Sequence, residues 1–179
     1  MDILRHTVSL ANGVLTMKIK VLDLSDPAAT AAAIPGTDFL QYVVRCQMGN
    51  TIYYAAMSMT PTGAPIFYVG KAQSVDLCSV SACFPHVITY PEPGFRGGNA
   101  EIGSVSCPAS PSKTNPCDVT IHVNAADVGH PTATSLLEEV GAYSLASSHL
   151  QGRTTNAQAL ADNVPLEIDG LCCINFRAS

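Results

Sequence analysis

Thr7-Val8-Ser9-Leu10-Ala11-Asn12-Gly13-Val14-Leu15-Thr16-Met17-Lys18-Ile19-Lys20-Val21-Leu22 carries the two signals that decide the fold class. Leu15, Met17, Ile19 and Val21 alternate with Thr16, Lys18 and Lys20, the period-two pattern of a strand with one buried face. Asn12-Gly13 separates this run from the one before it. Asn-Gly is the strongest short hairpin signal, because a type I′ turn needs positive φ at both central positions. The same reading extends outward. Gly49-Asn50 lies between Phe39–Met48 and Thr51–Met59 and marks a second hairpin. A strand at 65–71 follows the turn Thr60-Pro61-Thr62-Gly63. Another, at 86–90, is stopped by Pro91-Glu92-Pro93-Gly94, since proline has no N–H to give to a ladder.

Further strands are expected at 100–107 and 118–124, the second with Val119, Ile121 and Val123 alternating with polar residues. Residues 125–134 read as irregular with one helical turn. Residues 135–146 fit either a helix opened by a Ser135–Glu138 capping box or a twisted strand, and the strand is the preferred reading. Residues 151–164 form a polar loop, and 171–177 the closing strand. Short strands at this spacing imply an all-β chain: an antiparallel β-sandwich, jelly-roll or immunoglobulin-like, of about nine or ten strands. It is expected to be one domain spanning residues 1–179, since that length suits a single domain.

Composition bounds the function. Hydrophobic residues make up 47% of the chain, enough for a core, while charged residues make up 13%, against roughly 25% in ordinary domains. Disorder needs the opposite balance. The surface should therefore be built from Ser, Thr, Asn, Gln and Gly. The formal charge is −5, and the nine Lys and Arg residues are scattered, with only Lys18 and Lys20 close in sequence. A phosphate-tracking surface needs clustered cations, so nucleic acid is not an expected partner, and neither is an anionic membrane surface. No apolar run approaches the roughly 20 residues that span a bilayer. Met1-Asp2-Ile3-Leu4-Arg5-His6 has no basic and apolar leader pattern. The chain nonetheless has seven cysteines, which points to an oxidising compartment. These observations meet if the chain is a segment of a longer exported precursor, secreted and extracellular.

An odd number of cysteines leaves at least one unpaired within the chain. Cys46 is the expected one, because it shares the apolar face of its strand with Leu40, Tyr42, Val44 and Met48. Cys107 and Cys117 flank a Pro- and Ser-rich turn, and a bridge across its neck would stabilise by roughly 2–3 kcal/mol. Cys78, Cys83, Cys172 and Cys173 would make two more bridges, either tying the 78–83 loop to the final strand or closing Cys78 on Cys83. Zinc is disfavoured: the close-pair ligand spacing is missing, and adjacent cysteines on a strand point to opposite faces.

No sequence motif of catalysis is present, and a non-enzyme is expected. None of the five histidines stands two or four residues from another. An enzyme of unfamiliar motif would draw on His86, His122 or His130. Asp162, Asn163, Glu167 and Asp169 form the densest group of oxygen ligands. They are a candidate calcium site, with a solvated loop as the plain alternative; no other cofactor is expected. Tyr53-Tyr54, with Phe67-Tyr68 on the next strand, offers an aromatic platform for a sugar or peptide, with Tyr53 and Tyr68 as the contacts. Alternation sends Tyr53 and Tyr54 to opposite faces, so one belongs to the core. The absence of Trp counts against a sugar platform.

The run from Leu15 to Leu24, then Phe39-Leu40-Gln41-Tyr42-Val43-Val44-Arg45, Thr51-Ile52-Tyr53-Tyr54-Ala55-Ala56 and Phe67-Tyr68-Val69-Gly70, resembles accessory β-sandwich domains of secreted bacterial proteins. Such domains occur beside subtilisin-like proteases and are similar to DOMON and family-9 carbohydrate-binding modules. Asp118–Asn124, Asp127-Val128-Gly129 and Leu136–Tyr143 keep the same order. Where that pattern often carries Trp on the third strand, this chain has Cys46, and no functional residue carries over. The resemblance implies a non-catalytic accessory or binding module of a larger secreted protein. Its partner would be an extracellular polymer, a cell surface or an attached catalytic domain. The alternative is a structural subunit of a self-assembling filament or surface layer, since exposed strand edges pair readily.

Overall fold

The computed structural model describes residues 3–33, 39–59, 64–76, 86–90, 99–100, 102–147 and 166–177. Over these residues the chain is mostly strand, with almost no helix. The Asn12-Gly13 hairpin joins β1 (Ile3–Ala11) to β2 (Val14–Val21), with φ of 52° and 76° at the two turn residues, as a type I′ turn requires. The second hairpin joins β3 (Phe39–Met48) to β4 (Thr51–Met59). There only Gly49 has positive φ, 58°, the glycine-first pattern of a type II′ turn. The chain continues through β5 (Ile66–Lys71), β6 (Gln73–Asp76), β7 (His86–Thr89), β8 (Asn99–Ala100), β9 (Ile102–Ser106) and β10 (Cys117–Asn124). It ends with β11 (Leu136–Ser147) and β12 (Leu166–Arg177).

Twelve strands are thus present among the described residues. The sequence reading missed the β6 partner of β7 and did not separate β8 from β9. Two helical pieces occur as well. A 3-10 turn at Ala125–Val128 fills the segment read as one helical turn. The short helix α1 (Pro27–Ala32) was not read. Its signal is local: the Asp26 carboxylate accepts from the Ala29 N–H at 2.9 Å, and proline at the first helical position loses no hydrogen bond.

Among the described residues every strand pairing is antiparallel. One sheet has the order β1-β2-β10-β9 and the other β12-β11-β3-β4-β5-β8, with β6 and β7 as a separate ribbon. The two sheets pack face to face through a single apolar cluster. The small sheet contributes Leu15, Met17, Ile19, Val119, Ile121 and Val123, and the large one Leu40, Tyr42, Val44, Met57, Val69 and Leu137, all fully buried. Each such side chain gives about 1.5–3 kcal/mol on burial. The chain changes sheets between β8 and β9: Asn99–Ala100 pairs with Tyr68 and Val69 on β5, and Ile102–Ser106 with β10. Cys107 and Cys117 are joined by a disulfide, with Cα atoms 4.2 Å apart.

Residues 136–147 form a strand, as preferred from the sequence. Ser135 does not open a helix; its Oγ accepts from the Thr132 N–H at 2.8 Å and closes a turn. A bulge breaks the alternation. The register slips between Leu137 and Val140 against β12, and between Glu138 and Gly141 against β3. Glu139 takes φ of 47°, so Leu137 and Val140, three apart, both reach the core.

Candidate functional site

The two sheets treat their outer faces differently. On the six-stranded sheet the middle of the outer face, on β3, β4, β5 and β11, is buried, while Ile66 at the start of β5 stays exposed. Val43, Tyr54, Ala56, Tyr68, Tyr90, Tyr143 and Leu145 form a second apolar cluster there. Tyr54 meets Tyr68 edge-on at 6.1 Å between ring centroids, and Tyr90 at 5.3 Å. Buried polar groups are threaded through the rings. Gln41 donates to the Tyr68 hydroxyl and, at 3.0 Å, to the Tyr90 carbonyl. Ser58 and Tyr68 share a hydroxyl–hydroxyl bond of 2.6 Å. Arg45 lies 4.6 Å from the centre of the Tyr143 ring and donates to the Tyr90 hydroxyl at 3.3 Å. This is a hydrogen-bonded packing layer, since burying such groups is tolerable only when they are paired.

That layer corrects part of the expected aromatic platform. Tyr68 is fully buried and offers no face to solvent. Tyr54 is the core member of the Tyr53-Tyr54 pair. Tyr53 is half-buried; a Cβ at Gly129 would come within 2.9 Å of its hydroxyl, and the Lys71 ammonium lies 5.9 Å from its ring centre. Tyr53 and Tyr68 are therefore not brought onto one exposed surface.

The outer face of the four-stranded sheet is open and polar. Its side chains form three rows across the strands. Ser9, Thr16, His122 and Ile102 make one; Thr7, Lys18, Thr120 and Ser104 the next; Arg5, Lys20, Asp118 and Ser106 the third. The alternate residues of β2 and β10 are fully buried, which is what sends these outward. Lys20 donates to Asp118 at 2.7 Å, and Thr16 Oγ1 lies 3.3 Å from His122 Nδ1. Arg5, Thr7, Ser9, Lys18 and His122 are exposed. A recess of about 30 Å³ opens among Arg5, His6, Thr7, Lys18 and Lys20.

His6 is the one histidine on the inner face of β1. It is 8% exposed, and neither ring nitrogen forms a hydrogen bond, although the ring lies beside the Val140 backbone. Burial holds its pKa below the usual 6.5, outweighing the Val140 backbone. Cys46 is unpaired and buried, as expected, and burial pushes its thiol up to about 12.

Of the calcium candidates, Asp162 and Asn163 lie outside the described residues. Glu167 and Asp169 fall on β12, in register with Leu145 and Ser144; their side chains lie outside the described part. Cys78 and Cys83 lie outside it too, as do the side chains of Cys172 and Cys173 on β12, so those bridges stay as expectations. Among the described residues no group of three His, Cys, Asp or Glu side chains converges as a metal site. No described helix is long and apolar enough to cross a membrane.

The sequence reading missed Arg5 beside the two lysines. The signal was present: a two-residue turn at Asn12-Gly13 makes paired residue numbers sum to 25, which sets Thr7 against Lys18 and Arg5 against Lys20. No protein-family model, no curated protein and no solved structure matches this chain.

Proposed function

We propose that this protein is a non-catalytic extracellular binding module, a jelly-roll or immunoglobulin-like β-sandwich of the DOMON and family-9 carbohydrate-binding kind, carried by a larger secreted protein. One observation supports this above others: the three-row, mostly polar array of Ser, Thr, Lys, Arg and His, with Asp118 and Ile102 among them, on the open face of the four-stranded sheet. An extended polymer is recognised by repeated polar contacts on a firm surface. Here the strands fix the spacing of the hydroxyl and cationic groups, and the disulfide at Cys107 and Cys117 stiffens one end. Little ordering cost is left to binding.

The test is the melting temperature across calcium, EDTA and a panel of soluble oligosaccharides, together with pull-down on insoluble polysaccharides and cell walls. A ligand that binds only the folded state raises the melting point by mass action. A flat response with no pull-down overturns the proposal. In that case the second reading, a subunit of an extracellular assembly, gains weight. It is supported by Ile102, 77% exposed on the edge strand β9, since an apolar edge invites strand pairing between chains. Electron microscopy of concentrated protein would reveal filaments or layers.

A further inference from the structure

We infer that the outer face of the four-stranded sheet binds an anionic polysaccharide, with Arg5 and Lys18 as the carboxylate- or sulfate-pairing residues; this rests on the binding-module reading above. The chain is acidic overall, at −5, with nine Lys and Arg residues. Three of those nine are gathered on β1 and β2. Arg5 stands directly across from Lys20, and Lys18 is the next outward residue on β2. Like charges directly opposite on a sheet repel, and one carboxylate, Asp118, lies in the same rows to offset them. That carboxylate is taken up by Lys20 at 2.7 Å. Among the described residues neither Arg5 nor Lys18 has an ion-pair partner. Both are exposed.

Charge complementarity therefore calls for an anion at Arg5 and Lys18. The neighbouring groups say which kind. Thr7 and Thr120 flank Lys18 in its row, and Ser9, Thr16 and His122 fill the next row. These groups donate and accept hydrogen bonds and suit a hydroxyl-rich chain carrying spaced acidic groups. A nucleic acid would also need aromatic rings on which to stack its bases, and the three rows hold no Phe, Tyr or Trp. Arg5 offers a planar fork to a carboxylate or sulfate, while Lys18 acts as a point charge.

The experiment measures binding of oligogalacturonate, neutral dextran oligosaccharide and single-stranded DNA to the intact chain by calorimetry, at low and high salt. The Arg5→Gln/Lys18→Gln double variant is compared with Lys113→Gln, an exposed cation elsewhere. The expected result is oligogalacturonate binding that weakens with salt. It should fall roughly five- to tenfold in the double variant, the weight of two exposed ion pairs, and stay unchanged in Lys113→Gln. Melting curves check that the variants are folded. Oligogalacturonate binding that ignores the double variant overturns the inference, as does DNA binding of equal strength and equal sensitivity. Binding of dextran alone removes this inference but leaves the binding module. No binding to any oligosaccharide, here and across the wider panel, removes both.

Discussion

The Phe67 ring of the six-stranded sheet occupies the space that a side chain at Gly103 of the four-stranded sheet would need. Gly103 sits opposite Ile121 on the inner face of β9, where the strand crosses between the sheets. A Cβ there would meet the near edge of the ring, including the carbon that anchors it, so the ring cannot simply swing aside. Gly103→Ala is expected to cost about 1–3 kcal/mol through overpacking. Denaturant unfolding measures it. Phe67→Leu in the same chain should recover part of the loss, because the two changes share one space.

Tyr68→Phe tests the buried polar layer. The substitution keeps the ring but removes the hydroxyl that meets Gln41 and Ser58. Loss of these buried bonds should cost about 1–3 kcal/mol. A change below about 0.5 kcal/mol in urea unfolding would show that the layer is held by apolar packing alone.

His6 should make stability depend on pH. Its folded-state pKa lies below the ordinary value of 6.5, because burial disfavours the charged ring. Above about 6.5 the ring is neutral in both folded and unfolded chains and contributes no slope. As pH falls below that value, the unfolded chain takes up the proton first and stability declines, levelling off once the folded pKa is passed. Comparing melting temperatures of the native chain and His6→Phe from pH 7.5 to pH 4.5 reads this directly. The native chain should lose the extra stability below about pH 6.5, and the variant should not.

Cys46 should resist thiol reagents in the folded protein. The thiolate is the reactive form, and burial raises this thiol to about 12. Alkylation with iodoacetamide at pH 8, read by peptide mass mapping, should leave Cys46 unmodified until denaturant is added. Rapid labelling in native buffer would contradict the burial.

The Cys107→Ala/Cys117→Ala variant should melt roughly 5–10 °C lower. Closing a loop of this size is worth about 2–3 kcal/mol, and each kcal/mol moves the melting point of a chain of this length by about 2–4 °C.

Much of this fold was legible in the sequence. Leu15 to Val21 and Val119 to Val123 alternate with a single period and are flanked by turn residues, so local pattern and tertiary burial agree. The disulfide and the buried Cys46 followed from spacing and face. Burial of the outer face of β4 and β5 was not legible, since it depends on Tyr90 and Tyr143, which are distant in sequence. An exposed and a covered tyrosine look alike in a strand pattern, and Tyr68 was misplaced for that reason. The Arg5–Lys18–Lys20 group is hidden differently: Arg5 is far from both lysines along the chain and becomes their neighbour only through the hairpin register.

The disulfide also has a bearing on which folds the chain must avoid. Ser106 faces Asp118, so Cys107 and Cys117 stand opposite each other as the next pair along the same ladder. In a ladder of period two, a slip of one residue turns every side chain over. For β10 that would carry Val119, Ile121 and Val123 out to solvent and bring Thr120 and His122 into the core. A covalent link at this end of the ladder is incompatible with that slip. The bond therefore acts as a registration pin, choosing among alternative pairings of the same two strands.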